Sequence, residues 1–202
     1  AAGGYTAGRA MVDRARVVES SANLRMLVSA NAAYLADHGE YCPADTQANN
    51  RRWHGARRSS GERFDPQDGF LSPYLGRSRQ VGQCPLLTEV VSGSGSFEDG
   101  SGGYGYNSAY IGGRPGAVFD RFSKLRVSAK IGQVPDPGST VMFTTTAYAR
   151  ASGLQEYPYC EPPFCDFGTG PSGRRPNPSV HFRANGMALV AWCYGHVSAE
   201  PP

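Results

Sequence analysis

The chain has 202 residues, a formal net charge of +3 at pH 7, 40% hydrophobic residues, 26 glycines and 15 prolines. That length supports one domain with a real core and leaves little room for two, and the glycine and proline content favours short elements joined by many turns over a helical bundle. The charge is too small to mark a dedicated nucleic-acid binder, and no apolar run approaches the ~20 residues of a membrane span.

From Arg9 to His38 the chain has no proline and only helix-compatible residues, bounded by Gly8 and Gly39, which predicts one helix of about eight turns. At 100° per residue, Met11, Ala15, Val18, Ala22, Met26, Ala30 and Ala33 form one stripe, and Val17, Leu24, Val28 and Leu35 form another. The small-residue stripe suits close approach to a sheet. The second, Val17, Leu24, Val28 and Leu35, is the expected contact with another subunit, and a helix sunk deeply into its own domain is the alternative.

Residues 39 to 103 read mostly as loop. Within them "RRWHGARRSSGER" offers Arg51, Arg52, Trp53, Arg57 and Arg58 to an acidic polymer, with the indole as a stacking surface. A solvated basic loop is the plainer reading. "DGFLSPYL" (68–75) predicts a short helical turn, and "SGSGSFEDGSGG" a flexible turn region with Asp99-Gly100 as turn former. Strand candidates follow at 104–112, 139–148, 186–192 and 196–199, with Cys193-Tyr194-Gly195 sized for a hairpin between the last two. The expected class is α+β, a long N-terminal helix packed on a small antiparallel sheet with long loop insertions.

Five cysteines, at 42, 84, 160, 165 and 193, form no duplicated CxxC pair of the zinc-ribbon kind. The spacing of Cys160 and Cys165 suits a small disulfide loop, which requires an oxidising compartment; buried unpaired thiols are the alternative. Cys84, Cys193, His54 and His196 are the right types for a nucleophile and base, but no local motif joins them, and no G-x-S-x-G, Walker loop or H-E-x-x-H is present.

Several segments in order carry a resemblance. "NLRMLVSANAAYLADHGEYCP" is similar to the exposed half of a type IV pilin or pseudopilin helix. "LSPYLG...GQCP", "YGYNSAYIGG", "VPDPGSTVMFTTTA" and "HFRANGMALVAWCYGHV" resemble successive segments of the planctomycete-type pseudopilin-like family known by a His, nine residues, Asp-Gly signature. The likeness spans roughly residues 10 to 198. It departs at the signature itself, where Ala184 stands at the histidine position and Tyr194 at the aspartate position, and at Thr144 and Thr145, where relatives often carry Asp after the Phe.

The resemblance implies a pilin-like fold, with residues 1–40 as the exposed half of the helix and 41–202 as the globular head. It implies a non-enzymatic subunit of a type II secretion or type IV pilus-like filament. Its partners would be other pilin or pseudopilin subunits and the assembly machinery, at an extracytoplasmic site, with the parent anchored in the inner membrane. The family's basic leader, cleavage site and apolar helix half do not precede the opening "AAGGYTAG", so a form without the membrane-spanning half is expected. An extracytoplasmic site also favours a Cys160–Cys165 bond. No resident cofactor is expected. The alternative is an extracytoplasmic module that binds a surface polymer or calcium, the latter at Glu98 and Asp99, by analogy with calcium-holding pseudopilin heads.

Overall fold

The structure is a computed structural model that describes residues 2–88, 98–114, 118–151, 153–162 and 179–202, and only the backbone of residues 2–7. It opens with α1 (Ala2–His38), a helix of 37 residues. The helix stops where Gly39 turns left-handed at φ +74° and its N–H donates to the Leu35 carbonyl at 2.8 Å, a conformation glycine adopts without steric cost. Among the described residues no helix is long and apolar enough to cross a membrane.

The remaining strands are short: β1 (Arg51–Arg52), β2 (Gly55–Ala56), β3 (Tyr104–Asn107), β4 (Val141–Thr145), β5 (Tyr148–Arg150), β6 (Gly153–Gln155), β7 (Tyr159–Cys160), β8 (Ala188–Trp192) and β9 (Val197–Glu200). A five-stranded sheet in the order β7-β3-β4-β8-β9 forms the centre, and β1-β2 and β5-β6 are separate two-stranded ribbons. The central sheet is antiparallel except at one edge, where β7 lies parallel to β3; the class is α+β with a mixed sheet. The β8–β9 hairpin closes at 193–195 as expected. Gly195 sits at φ +109° and Trp192 N–H donates to the His196 carbonyl at 3.0 Å.

The second half of α1 packs on β8, β4 and β9. Tyr104 and Tyr106 of β3 point toward the helix side: the Tyr104 hydroxyl lies 3.0 Å from the Ser20 hydroxyl, and Tyr106 donates to the Cys42 carbonyl at 2.8 Å. Tyr106 stacks on Phe143 at 4.7 Å, and Phe143 meets Trp53 edge-on at 5.3 Å. Leu24, Leu27, Leu71, Leu87, Met142 and Leu189 complete a core from which water is excluded.

Two polar side chains of α1 belong to this buried face. Asn31 accepts from the Cys42 N–H at 2.9 Å, and Ser20 also lies 3.3 Å from the Cys84 thiol. Each satisfies a group that would otherwise lose its hydrogen bonds on burial.

The loop 98–102 is fastened by Glu156. Its carboxylate accepts from the Gly100 and Gly102 N–H groups at 2.9 and 3.0 Å, from Ser101 Oγ at 3.2 Å and from Gln83 at 3.1 Å.

Candidate functional site

The second helix stripe takes a role opposite to the expected one, while the small-residue stripe divides, with Ala30 buried in the core, Met26 packed against it and its N-terminal members exposed. Leu24 is 0% and Val28 6% exposed within the chain's own core, with Val17 and Leu35 packed against it. Leu24 and Val28 offer no surface to another subunit and the half-buried Val17 and Leu35 offer little, so the assignment of Val17, Leu24, Val28 and Leu35 as subunit contacts is corrected. The other stripe is free over its N-terminal part: Met11 is 72% and Val18 67% exposed, and Val12 beside them 50%. Between residues 8 and 19 the helix therefore has most of its side chains exposed and shows an apolar face there.

The basic segment is also corrected. "RRWHGA" forms the β1–β2 hairpin instead of a solvated loop, and Trp53 is fully buried, its indole donating to the Pro158 carbonyl at 2.8 Å. Arg52 is buried too. Both its terminal nitrogens bond the Glu98 carboxylate, one of them at 3.3 Å, and its guanidinium lies over the Phe64 and Tyr159 rings. Arg57 is largely covered, and its guanidinium also lies over the Phe64 ring at 4.3 Å. Arg51 and Arg58 remain exposed, and Arg51 rests on Phe70 at 4.5 Å. With the indole inside, the segment has no stacking surface for a polymer.

The same ion pair bears on calcium. Glu98 already faces a guanidinium, which supplies the positive charge a cation would bring, and calcium needs six to eight oxygens. Among the described residues no group of three or more His, Cys, Asp or Glu is placed to hold a metal.

His54 lies beneath this cluster, fully buried between Trp53 at 5.0 Å and Phe64 at 5.1 Å, and among the described residues neither ring nitrogen has a hydrogen-bond partner. Burial, with the charges of Arg52 and Arg57 beside it, holds the imidazole well below its ordinary value of 6.5. The folded ring therefore stays neutral while the unfolded one takes up a proton below about pH 6.5. Stability from this residue is complete above that pH and declines below it, by up to about 1.4 kcal/mol per pH unit. Urea unfolding of the wild type and of His54→Leu between pH 7.5 and 5 should show the two curves diverging only on the acid side.

The remaining candidates are dispersed. Cys84 meets Ser20, while His196 stacks on Trp192 at 5.8 Å in the last hairpin. Among the described residues no hydrogen bond joins either cysteine to either histidine. Ala184 is buried and Tyr194 is 80% exposed at the hairpin tip. Thr144 and Thr145 are buried, donating to the Leu189 and His181 carbonyls, both at 3.0 Å; these hydroxyls serve the sheet.

Cys160 carries a free thiol, and its expected partner Cys165 lies outside the described residues. Burial pushes the Cys160 and Cys193 thiols up to about 12, so both should resist iodoacetamide at pH 8 in the folded protein, because the thiolate is the reacting form. Alkylation in denaturant without reductant, read by mass spectrometry, should then modify Cys160. Modification only after reduction would show the bond to Cys165 instead.

A cleft of about 710 Å³ opens at one end of the central sheet, lined by Tyr110, Arg114, Val134, Val141, Cys160 and Glu161 among others. Its size is within the usual range for small-molecule sites, and its walls are mainly apolar. No protein-family model, curated protein or solved structure matches the chain.

Proposed function

We propose that the chain is the extracytoplasmic part of a pilin-like subunit of a type II secretion or type IV pilus-like filament, in which neighbouring subunits meet along the projecting helix. The observation that carries this reading is the apolar face of α1 between residues 8 and 19, with Met11 and Val18 about 70% exposed. A helix of 37 residues extends ~55 Å, and covering each such side chain contributes about 1.5–3 kcal/mol. The ordered segments similar to pseudopilins, from the helix to the closing hairpin, support the same reading. Its partners are other subunits and the assembly machinery, and the parent is anchored at the inner membrane. The chain works by assembly, with no catalytic role and no resident cofactor.

Electron microscopy of cell-surface material, with antibody raised against this domain, should show label along filaments. Label confined to the envelope, with no filament, would overturn the filament reading. It would favour the second one, an extracytoplasmic binding module, which the cleft beside Arg114 and Glu161 supports.

A further inference from the structure

Along the exposed part of α1, Gly8, Met11, Ala15, Val18 and Ala22 recur at alternating spacings of three and four residues, and all five are exposed. The side chains that bury against the head, including Val17, Ser20, Leu24 and Leu27, lie on the opposite side of the helix. Alternating three and four is the repeat of a two-stranded coiled coil, whose two core positions recur every seven residues. Here one position holds Gly8, Ala15 and Ala22, and the other holds Met11 and Val18. The small residues let two backbones approach, and the larger ones fill the space between.

The flanking charges select a partner and a direction. Arg14 precedes one core residue and Glu19 follows the next, one on each side of the seam, and both are exposed. In two parallel helices held in register, the residue before one core position faces the partner residue five places further along. Arg14 of one copy then meets Glu19 of the other, and two-fold symmetry makes the pair twice. An antiparallel arrangement sets like charges against each other. The following seam position is Arg25, also exposed, so the apolar contact ends where the head begins.

We propose that a second copy of this chain docks on this face, forming a parallel, in-register, two-fold pair through Met11, Ala15 and Val18. Because each head lies on the far side of its own helix, the two heads point outward and leave the seam open. The inference rests on the reading of the projecting helix as an assembly element, and adds to it a closed two-fold contact between copies, distinct from the staggered contact a filament needs.

Sedimentation equilibrium of the intact chain should show a concentration-dependent dimer. Arg14→Glu should weaken the dimer about tenfold by replacing two attractive contacts with repulsive ones, and Arg14→Glu combined with Glu19→Arg should restore it. Under mild oxidation Ala15→Cys should cross-link two chains, while Asp13→Cys, away from the seam, should not; the wild type controls for the native thiols. All these positions are exposed or partly exposed on the helix, and circular dichroism checks that each variant is folded. A folded monomer at every concentration, a dimer indifferent to Arg14→Glu, or cross-linking through Asp13→Cys would each overturn the pair. The filament reading fails separately, by absence of labelled filaments in cells, because a staggered filament contact does not require the Arg14–Glu19 register.

Discussion

Trp53→Ala is expected to destabilise the protein by about 3–5 kcal/mol, measured as a lowered midpoint in urea. The indole is fully buried at the meeting point of Phe143, Tyr106 and His54, with ring separations of 5.3, 6.3 and 5.0 Å. Truncation removes those contacts and leaves a cavity that rigid neighbours from three different segments collapse into only partly. It also removes one of the two hydrogen bonds to the Pro158 carbonyl, which keeps the Tyr106 N–H at 3.0 Å, so this loss adds only about 0.5–1.5 kcal/mol. Domains of this size are stable by about 5–15 kcal/mol, so the variant should be marginal at 25 °C. Trp53→Phe keeps most of the ring and should lose less than half as much. If Trp53→Ala instead kept full stability and reduced binding to an acidic glycan, the indole would have to lie on the surface.

Arg126→Ala is expected to cost about 3–5 kcal/mol. Arg126 grips Asp45 with two hydrogen bonds, 2.6 Å from Nε and 2.8 Å from a terminal nitrogen, and the Tyr159 hydroxyl donates to the same carboxylate at 2.9 Å. The two side chains are only 12% and 7% exposed. Removing the guanidinium leaves a carboxylate shut away from water with the Tyr159 hydroxyl as its remaining side-chain donor among the described residues, and that desolvation is the source of the loss. Asp45→Asn with Arg126→Met removes both charges, so the double variant should be more stable than Arg126→Ala. A double-mutant cycle in guanidinium chloride, completed with the two single variants, gives the coupling directly. Additive single effects would show that the pair is solvated.

The parts of the fold legible in the sequence are those whose cause is local. The helix and its stop at Gly39 follow from an uninterrupted run of helix formers and one residue that tolerates a left-handed turn. The closing hairpin follows from alternation around Gly195. The strand β7 escaped notice because two residues, Tyr159 and Cys160, join an existing edge through β3, and no periodicity exists at that length. The helix stripes were visible, but their destinations were not. Both are apolar, and the deciding residues are the polar Ser20 and Asn31, which mark the buried face only once Tyr104, Cys84 and the Cys42 N–H are known to lie opposite them. Likewise "RRWHGARR" looks like a basic surface until Glu98 is placed against Arg52. The one local hint was Trp53 at its centre.

The docking of α1 on β8 also sets an order of events during synthesis. The helix leaves the ribosome well before β8, the strand on which it packs, is made. At ~5–20 residues per second the wait is on the order of 10 s, far longer than the microsecond or less a helix needs to form. For that interval the nascent chain presents a formed helix with its future core face bare. The head closes only when Ala188–Trp192 arrive, so a chain released before β8 keeps its most apolar surface available to chaperones and to other unfinished chains.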